Sequence, residues 1–99
     1  MISLVKLLFS RPKRLDSLVV TVYSRHNCGC CDNARAILDE YQERHGFQVE
    51  WVDVDQDPTL ADRYGLDVPV VAFDGKVRFK GKINPVLLDR LIEAMPLSE

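Results

Sequence analysis

From Leu18 onward, short apolar runs alternate with stretches whose apolar residues recur every three or four positions, and the two periods predict strands and helices in turn. The run LVVTVY at 18–23 is β-branched and aromatic and gives way to polar residues, as a buried strand does. In CDNARAILDEYQERHG, the residues Ala34, Ile37, Leu38 and Tyr41 share one helical face, and Gly46 follows where a left-handed residue suits a helix end. FQVEWVDV, with Phe47, Val49, Trp51 and the pair Val52 and Val54, alternates imperfectly and predicts a second strand. Asp57 before Pro58 is a cap with a proline at the first helical position, opening a short helix that stops at Gly65. VPVVAF and KVRFK flank Asp74-Gly75, a strong signal for a tight hairpin turn. Asn84 and Pro85 repeat the cap-and-proline device before a closing helix with Leu88, Leu91, Ile92 and Met95 on one face.

The predicted order is β-α-β-α-β-β-α. A strand, a helix and a parallel strand need a crossover, whereas the Asp-Gly turn makes the last two strands antiparallel. The expected product is an α/β fold: a four-stranded mixed sheet flanked by helices on both faces, formed by residues 18–99. Residues 1–17 stand before it as an N-terminal extension. There, apolar positions 4, 5, 7 and 8 predict an amphipathic helix that Pro12 ends, packed against the domain rather than on a membrane surface. Along the last strand, Lys76, Arg78 and Lys80, with Lys82 beyond, fall at every second position. That spacing predicts one basic face, with Val77 and Phe79 on the other. Charge on an edge strand guards against edge-to-edge pairing.

With 99 residues, 46% apolar and 28% charged, the chain has enough for one modest core and too much hydrophobicity for general disorder. The net charge of −2 gives no reason to expect nucleic acid as a partner, although the first 18 residues carry +3 and the rest −5. No run approaches the roughly 20 apolar residues of a membrane span. The opening MISLVKLLF is interrupted by Lys6 and precedes no small-residue cleavage site, so neither a signal peptide nor a membrane partner is expected.

All three cysteines, Cys28, Cys30 and Cys31, lie within four positions. A disulfide-stapled secreted domain spreads its cysteines to close loops; a cluster suits a redox or metal site in a reducing compartment, with the cytoplasm as the expected location. The cluster follows a predicted strand and opens a predicted helix. A sulfur there faces unpaired backbone N–H groups and the positive end of the helix dipole, which favour thiolate over thiol. Arg25 and His26 add cationic or hydrogen-bonding neighbours. Helical residues turn by about 100° each, so Cys31 returns to within roughly 60° of Cys28 while Cys30 points about 160° away. Cys28 and Cys31 therefore pair, Cys28 as the exposed attacking sulfur and Cys31 as the one that resolves the mixed disulfide.

YSRHNCGCCD and DVPVVAFDG together resemble the thioredoxin fold of the glutaredoxin branch, and most of all the short bacterial glutaredoxin-like proteins whose motif reads C-x-x-C-D. Arg25 stands three residues before the first cysteine, where glutaredoxins often have lysine. The resemblance implies a cis Val68-Pro69 bond in a loop beside the cysteines, and gives Arg25, Val68 and Pro69 to the substrate site. Two positions depart from the pattern: Gly81 is followed by Lys82 where glutathione users carry Gly-Gly and a polar or acidic residue, and Asn27 stands where thioredoxins have tryptophan.

The function expected is thiol–disulfide oxidoreduction by Cys28 and Cys31, with no cofactor beyond the pair itself and no metal. The departure at Lys82 counts against bound glutathione. Expected partners are a disulfide-containing protein or small thiol compound and a separate reductant. The alternative is a metal or iron–sulfur module drawing on Cys28, Cys30 and Cys31. Cys30 reads more plainly as a small residue at a free helix position, His26 as an ordinary loop histidine, Asp32 as a favourable charge in the first turn, and Trp51 and Phe47 as core.

Overall fold

The computed structural model describes residues 13–26 and 28–95. The predicted order is observed: β1 (Val19–Ser24), α1 (Gly29–His45), β2 (Gln48–Asp53), α2 (Pro58–Tyr64), β3 (Val70–Phe73), β4 (Lys76–Lys80) and α3 (Pro85–Ala94). The strands form one mixed sheet in the order β2-β1-β3-β4. β1 runs parallel to β2 and antiparallel to β3, which is antiparallel to β4.

The punctuation acts where the sequence put it. Asp57 accepts the N–H of Thr59, Asn84 accepts those of Val86 and Leu87, and Gly46 ends α1 at φ 77°. The hairpin holds Asp74 at φ 49° and Gly75 at φ 87°. Asp74 is also tied to β1, since its carboxylate accepts the N–H of Val19 at 2.9 Å and its own N–H reaches the Val19 carbonyl at 2.8 Å. β2 stops at Asp53, so Val54 falls in a 3₁₀ turn (Val54–Gln56) instead of the strand.

Two apolar clusters occupy the two faces of the sheet. The larger joins Val20, Val22, Val71, Phe73 and Phe79 to Ala34, Leu38 and Tyr41 of α1 and to Leu88 and Ile92 of α3. Leu38 and Leu88 are both fully buried, each contributing about 1.5–3 kcal/mol. The smaller gathers Val54, Val70 and Tyr64, with Tyr23, Leu60, Val68 and Val77 against it. Tyr23 and Tyr64 stack there with ring centroids 4.6 Å apart.

The expected basic face of β4 is not formed. A bulge between Val71 and Ala72 pairs Val71 with Phe79 but Ala72 with Val77, so Arg78 is the extra residue. Val77 therefore faces the smaller cluster and Phe79 the larger one. Lys76 is paired with Phe73 and Lys80 with Val70, which puts these two lysines on opposite faces of the sheet.

The helix expected before Pro12 lies outside the described residues. Residues 13–17 are not helical, and they bind the domain firmly. Leu15 is in the main core and its N–H reaches the His45 carbonyl at 2.8 Å. His45 Nδ1 donates to the Lys13 carbonyl at 2.6 Å. Lys13 Nζ reaches the carbonyls of Ile92 at 2.9 Å and Glu93 at 3.0 Å, and also that of Met95, covering the C-terminal end of α3 with positive charge.

Candidate active site

β1 delivers the chain to the start of α1, and Cys28 is the residue at the joint. Its backbone is extended, and its sulfur accepts the N–H of Cys31 at 3.2 Å, the bond that a serine or aspartate oxygen makes as a helix cap. All three cysteines are free thiols, Cys28 and Cys30 half-buried and Cys31 buried. One turn in, Cys31 lies beside Cys28 as the helical spacing predicts. Its thiol is pushed up to about 11, first by burial and then by the hydrogen bond with Cys28 and the nearness of Cys28 and Cys30; the backbone N–H of Arg25 works in the opposite direction.

The loop before β3 meets the cysteines from the other side. The Val68-Pro69 bond is cis, as the resemblance implied, and the Val68 carbonyl oxygen lies 4.0 Å from Cys28 Sγ. Two ties hold this loop. Gly81 donates its N–H to the carbonyls of Asp67 and Pro69 at 2.8 and 2.9 Å. Arg25 donates to the Gly65 carbonyl at 3.2 Å while its other nitrogens grip the Asp55 carboxylate at 2.9–3.2 Å. Arg25 thus reaches across to the loop and has its charge matched by Asp55, instead of standing as a free cation beside Cys28.

A cleft of about 210 Å³ opens on the Cys31 side, lined by Cys28, Cys31, Arg25, Asp32, Trp51 and Asp53 among others. His26 borders it as well, with Nε2 3.2 Å from an Asp53 oxygen. Trp51, expected in the core, packs against the main cluster half-buried and carries the Arg35 guanidinium 3.9 Å above its ring. Phe47 is core, as expected. The polar members of this cleft were not legible as a group, because His26 and Asp53 are 27 positions apart and only the parallel pairing of β1 with β2 joins them. Cys30 turns to a second, more apolar groove of about 330 Å³, with Ala34, Ile37, Lys82 and Ile83 in its walls. Among the described residues, no group of three or more His, Cys, Asp or Glu side chains is placed to hold a metal ion.

A mixed sheet in this order, with a C-x-x-C pair opening the first helix, Cys28 as its cap, and the Val68 carbonyl facing that sulfur, defines a thioredoxin-fold protein of glutaredoxin type. The family model described as Glutaredoxin-like domain (DUF836) matches residues 19–93, and the chain belongs to that family. Its backbone is similar to that of a protein from X. campestris, at 27% identity and a TM-score of 0.65 over 78% of this chain and 99% of that one. It is also similar to a mutant thioredoxin from Halobacterium salinarum, at 26% identity and a TM-score of 0.62 over 85% and 80% of the two chains. Reduced desulfothioredoxin from Desulfovibrio vulgaris Hildenborough matches at 28% identity and a TM-score of 0.60, over 79% and 81%.

Proposed function

We propose that this protein reduces disulfides by dithiol exchange. The observation that carries the reading is the unlike pair: Cys28 half-buried at the helix end, accepting the Cys31 N–H, and Cys31 buried and protonated beside it. Cys28 attacks one sulfur of a client disulfide. The Cys28–client bond forms, the client's own S–S bond breaks, and its second sulfur leaves as a thiolate that takes up a proton. Cys31 then loses its proton and attacks Cys28 Sγ. The Cys28–Cys31 disulfide forms, and the client leaves fully reduced by two electrons and two protons. A dithiol or glutathione must return the pair to the thiol state.

The order of events has a physical basis. Part of what holds the Cys31 proton is the Cys28 sulfur itself, by hydrogen bond and by charge. Once that sulfur is bound to the client, its charge is gone, while burial, the largest cause, and the nearness of Cys30 remain. Cys31 therefore becomes easier to ionise when its attack is needed. The cleft beside it gives the proton a way out. Arg25, Val68 and Pro69 shape the client side: Arg25 fixes the loop, and the backbone at Val68 faces the incoming sulfur. The clustered thiols suit a reducing compartment, and we assign the protein to the cytoplasm. The reading uses no cofactor beyond the pair.

The test is a trap. Cys31→Ser should accumulate a mixed disulfide with insulin that dithiothreitol releases, and Cys28→Ser should form none. Equal trapping by the two variants would sink the assignment of roles.

A further inference from the structure

The proton on Cys31 has to leave before that sulfur can attack, and the core gives it nowhere to go. Behind α1, Val20, Val22 and Val71 are fully buried and apolar. Among the described residues no carboxylate is buried, and the buried histidine, His45, closes the other end of α1. The way out is the cleft of about 210 Å³, which has room for several waters. Besides the two thiols, the side chains there that carry or can take charge are Arg25, His26, Asp32, Arg35 and Asp53.

The geometry sorts these groups. The two arginines have no lone pair to offer, and both are engaged, Arg25 by the Asp55 carboxylate and Arg35 by the Trp51 ring. Asp53 is used on both oxygens, one accepting the N–H of Asp55 at 2.9 Å and the other lying 3.2 Å from His26 Nε2. An ionised carboxylate only accepts, so the Nε2 facing it carries the ring proton, and in the neutral ring Nδ1 keeps a lone pair. Water reaches that nitrogen, because the imidazole is 84% exposed. His26 also follows directly on Arg25, whose backbone N–H is already a partner of Cys31. Asp32 remains, exposed in the first turn of α1, but a carboxylate is a far weaker base than an imidazole.

Resting on the dithiol reading, we infer that His26 takes the Cys31 proton during resolution, through water in the cleft, and that Asp53 is the positioning residue that fixes its tautomer. The Cys31 S–H bond breaks as the sulfur pair attacks Cys28 Sγ, and the Cys28–client bond breaks behind it. The proton passes by water to Nδ1. The imidazolium so formed, steadied by the Asp53 charge, returns it to the departing client thiolate or to solvent. His26 is thus a working group and not the ordinary loop histidine that its place in the sequence suggests.

The test uses the full chain carrying Cys30→Ser as parent, so that only the pair reacts. It is mixed rapidly with one equivalent of 2,2′-dithiodipyridine at concentrations that make attack the faster step. Attack by Cys28 releases one thiopyridone and resolution by Cys31 releases the second, so the two steps are read as separate absorbance phases. Near neutral pH, His26→Gln should slow the second phase by roughly tenfold, less than an enclosed general base supplies because water shares the work. Imidazole added to the buffer should restore it and leave the parent unchanged. Asp53→Asn keeps an oxygen for the Asp55 N–H but turns an amide N–H toward Nε2, which moves the ring proton to Nδ1. It should slow the second phase as His26→Gln does. The gap between parent and variants should narrow in acid, where imidazole is charged, and in alkali, where Cys31 ionises unaided. A second phase as fast as the parent's, one slowed but unmoved by imidazole, or equal slowing of both phases overturns the inference and leaves the dithiol reading standing. A parent that releases only one thiopyridone overturns both.

Discussion

The two flanks of the first turn of α1 differ more than their sequence separation suggests. Cys30 and Cys31 are adjacent, yet about 100° of helical rotation sends them into different surroundings. Cys31 sits under a polar cleft shared with Cys28, Asp32, Asp53 and His26, and its proton is held up to about 11. Cys30 lines a groove of mainly alanine and isoleucine side chains, with Asn33 and Lys82 as its polar members. The same chemical group is given access to a partner sulfur on one flank and apolar neighbours on the other. On the dithiol reading the third thiol is not a third redox centre, because position on the helix puts Cys31 and not Cys30 beside Cys28.

The largest expected effect separates the flanks outright. Cys28→Ser should abolish insulin reduction, whereas Cys30→Ser should stay within about twofold of the parent. If Cys30→Ser loses activity as Cys28→Ser does, the division of labour drawn here is wrong, and the reading with all three sulfurs on a metal gains. Mass mapping of the oxidised protein should likewise find Cys30 alkylated without prior reduction.

Next in size is the pH response of the Cys31 flank. The folded, reduced protein keeps this proton to about 11, while the ordinary value is 9.0. As pH rises past 9 the unfolded chain loses its proton first, so the stability that protonated Cys31 contributes is whole below pH 9 and lost by about 11. Denaturant midpoints should fall across that window for the reduced parent and fall less for Cys31→Ser. Tyr41, raised chiefly by its hydrogen bond to Asp89, shifts in the same direction in both proteins and cancels in the difference. Identical pH profiles would show that Cys31 is not the group responsible.

The smallest effect is on the loop tie. Arg25→Ala should lower kcat/KM by a few-fold by freeing the Gly65 carbonyl, yet change stability by no more than about 1 kcal/mol, because its ion pair with Asp55 is partly exposed. A large fall in melting temperature without a change in kinetics would recast Arg25 as a purely structural residue.

How much of this could be read from the chain depends on the range of the interaction. Caps, turns and helix faces are local: Asp57-Pro58, Asn84-Pro85, Gly46 and Asp74-Gly75 act on neighbours within a few residues and appear where expected. The pairing of Cys28 with Cys31 is equally local, being one helical turn. The β4 bulge is not. Alternation in KVRFK looks regular, and only its pairing with β3 shows that Arg78 is an extra residue and that Val77 and Phe79 part company. Arg25 illustrates the same limit at the site. Its nearness to Cys28 in sequence was plain, but its partners Asp55 and Gly65 arrive from the far ends of β2 and α2. Leu15 was assigned to the extension and is in the core because its N–H meets the end of α1, a contact 30 residues away that no local pattern carries.

The clasp between Lys13 and the end of α3 has a consequence for the connectivity of the fold. Because Lys13 Nζ lies within 3.0 Å of the Ile92 and Glu93 carbonyls, residues that open and close the domain are neighbours in space. The order in which the strands are threaded is then a matter of where the chain is cut. A circular permutant that joins the residues after Met95 to Lys13 by a short flexible linker, and opens at the exposed Asp74-Gly75 turn, would keep both apolar clusters and the cap at Cys28. The cut falls at the end of the sheet opposite the cysteines, so new termini could be introduced there without standing in a client's path.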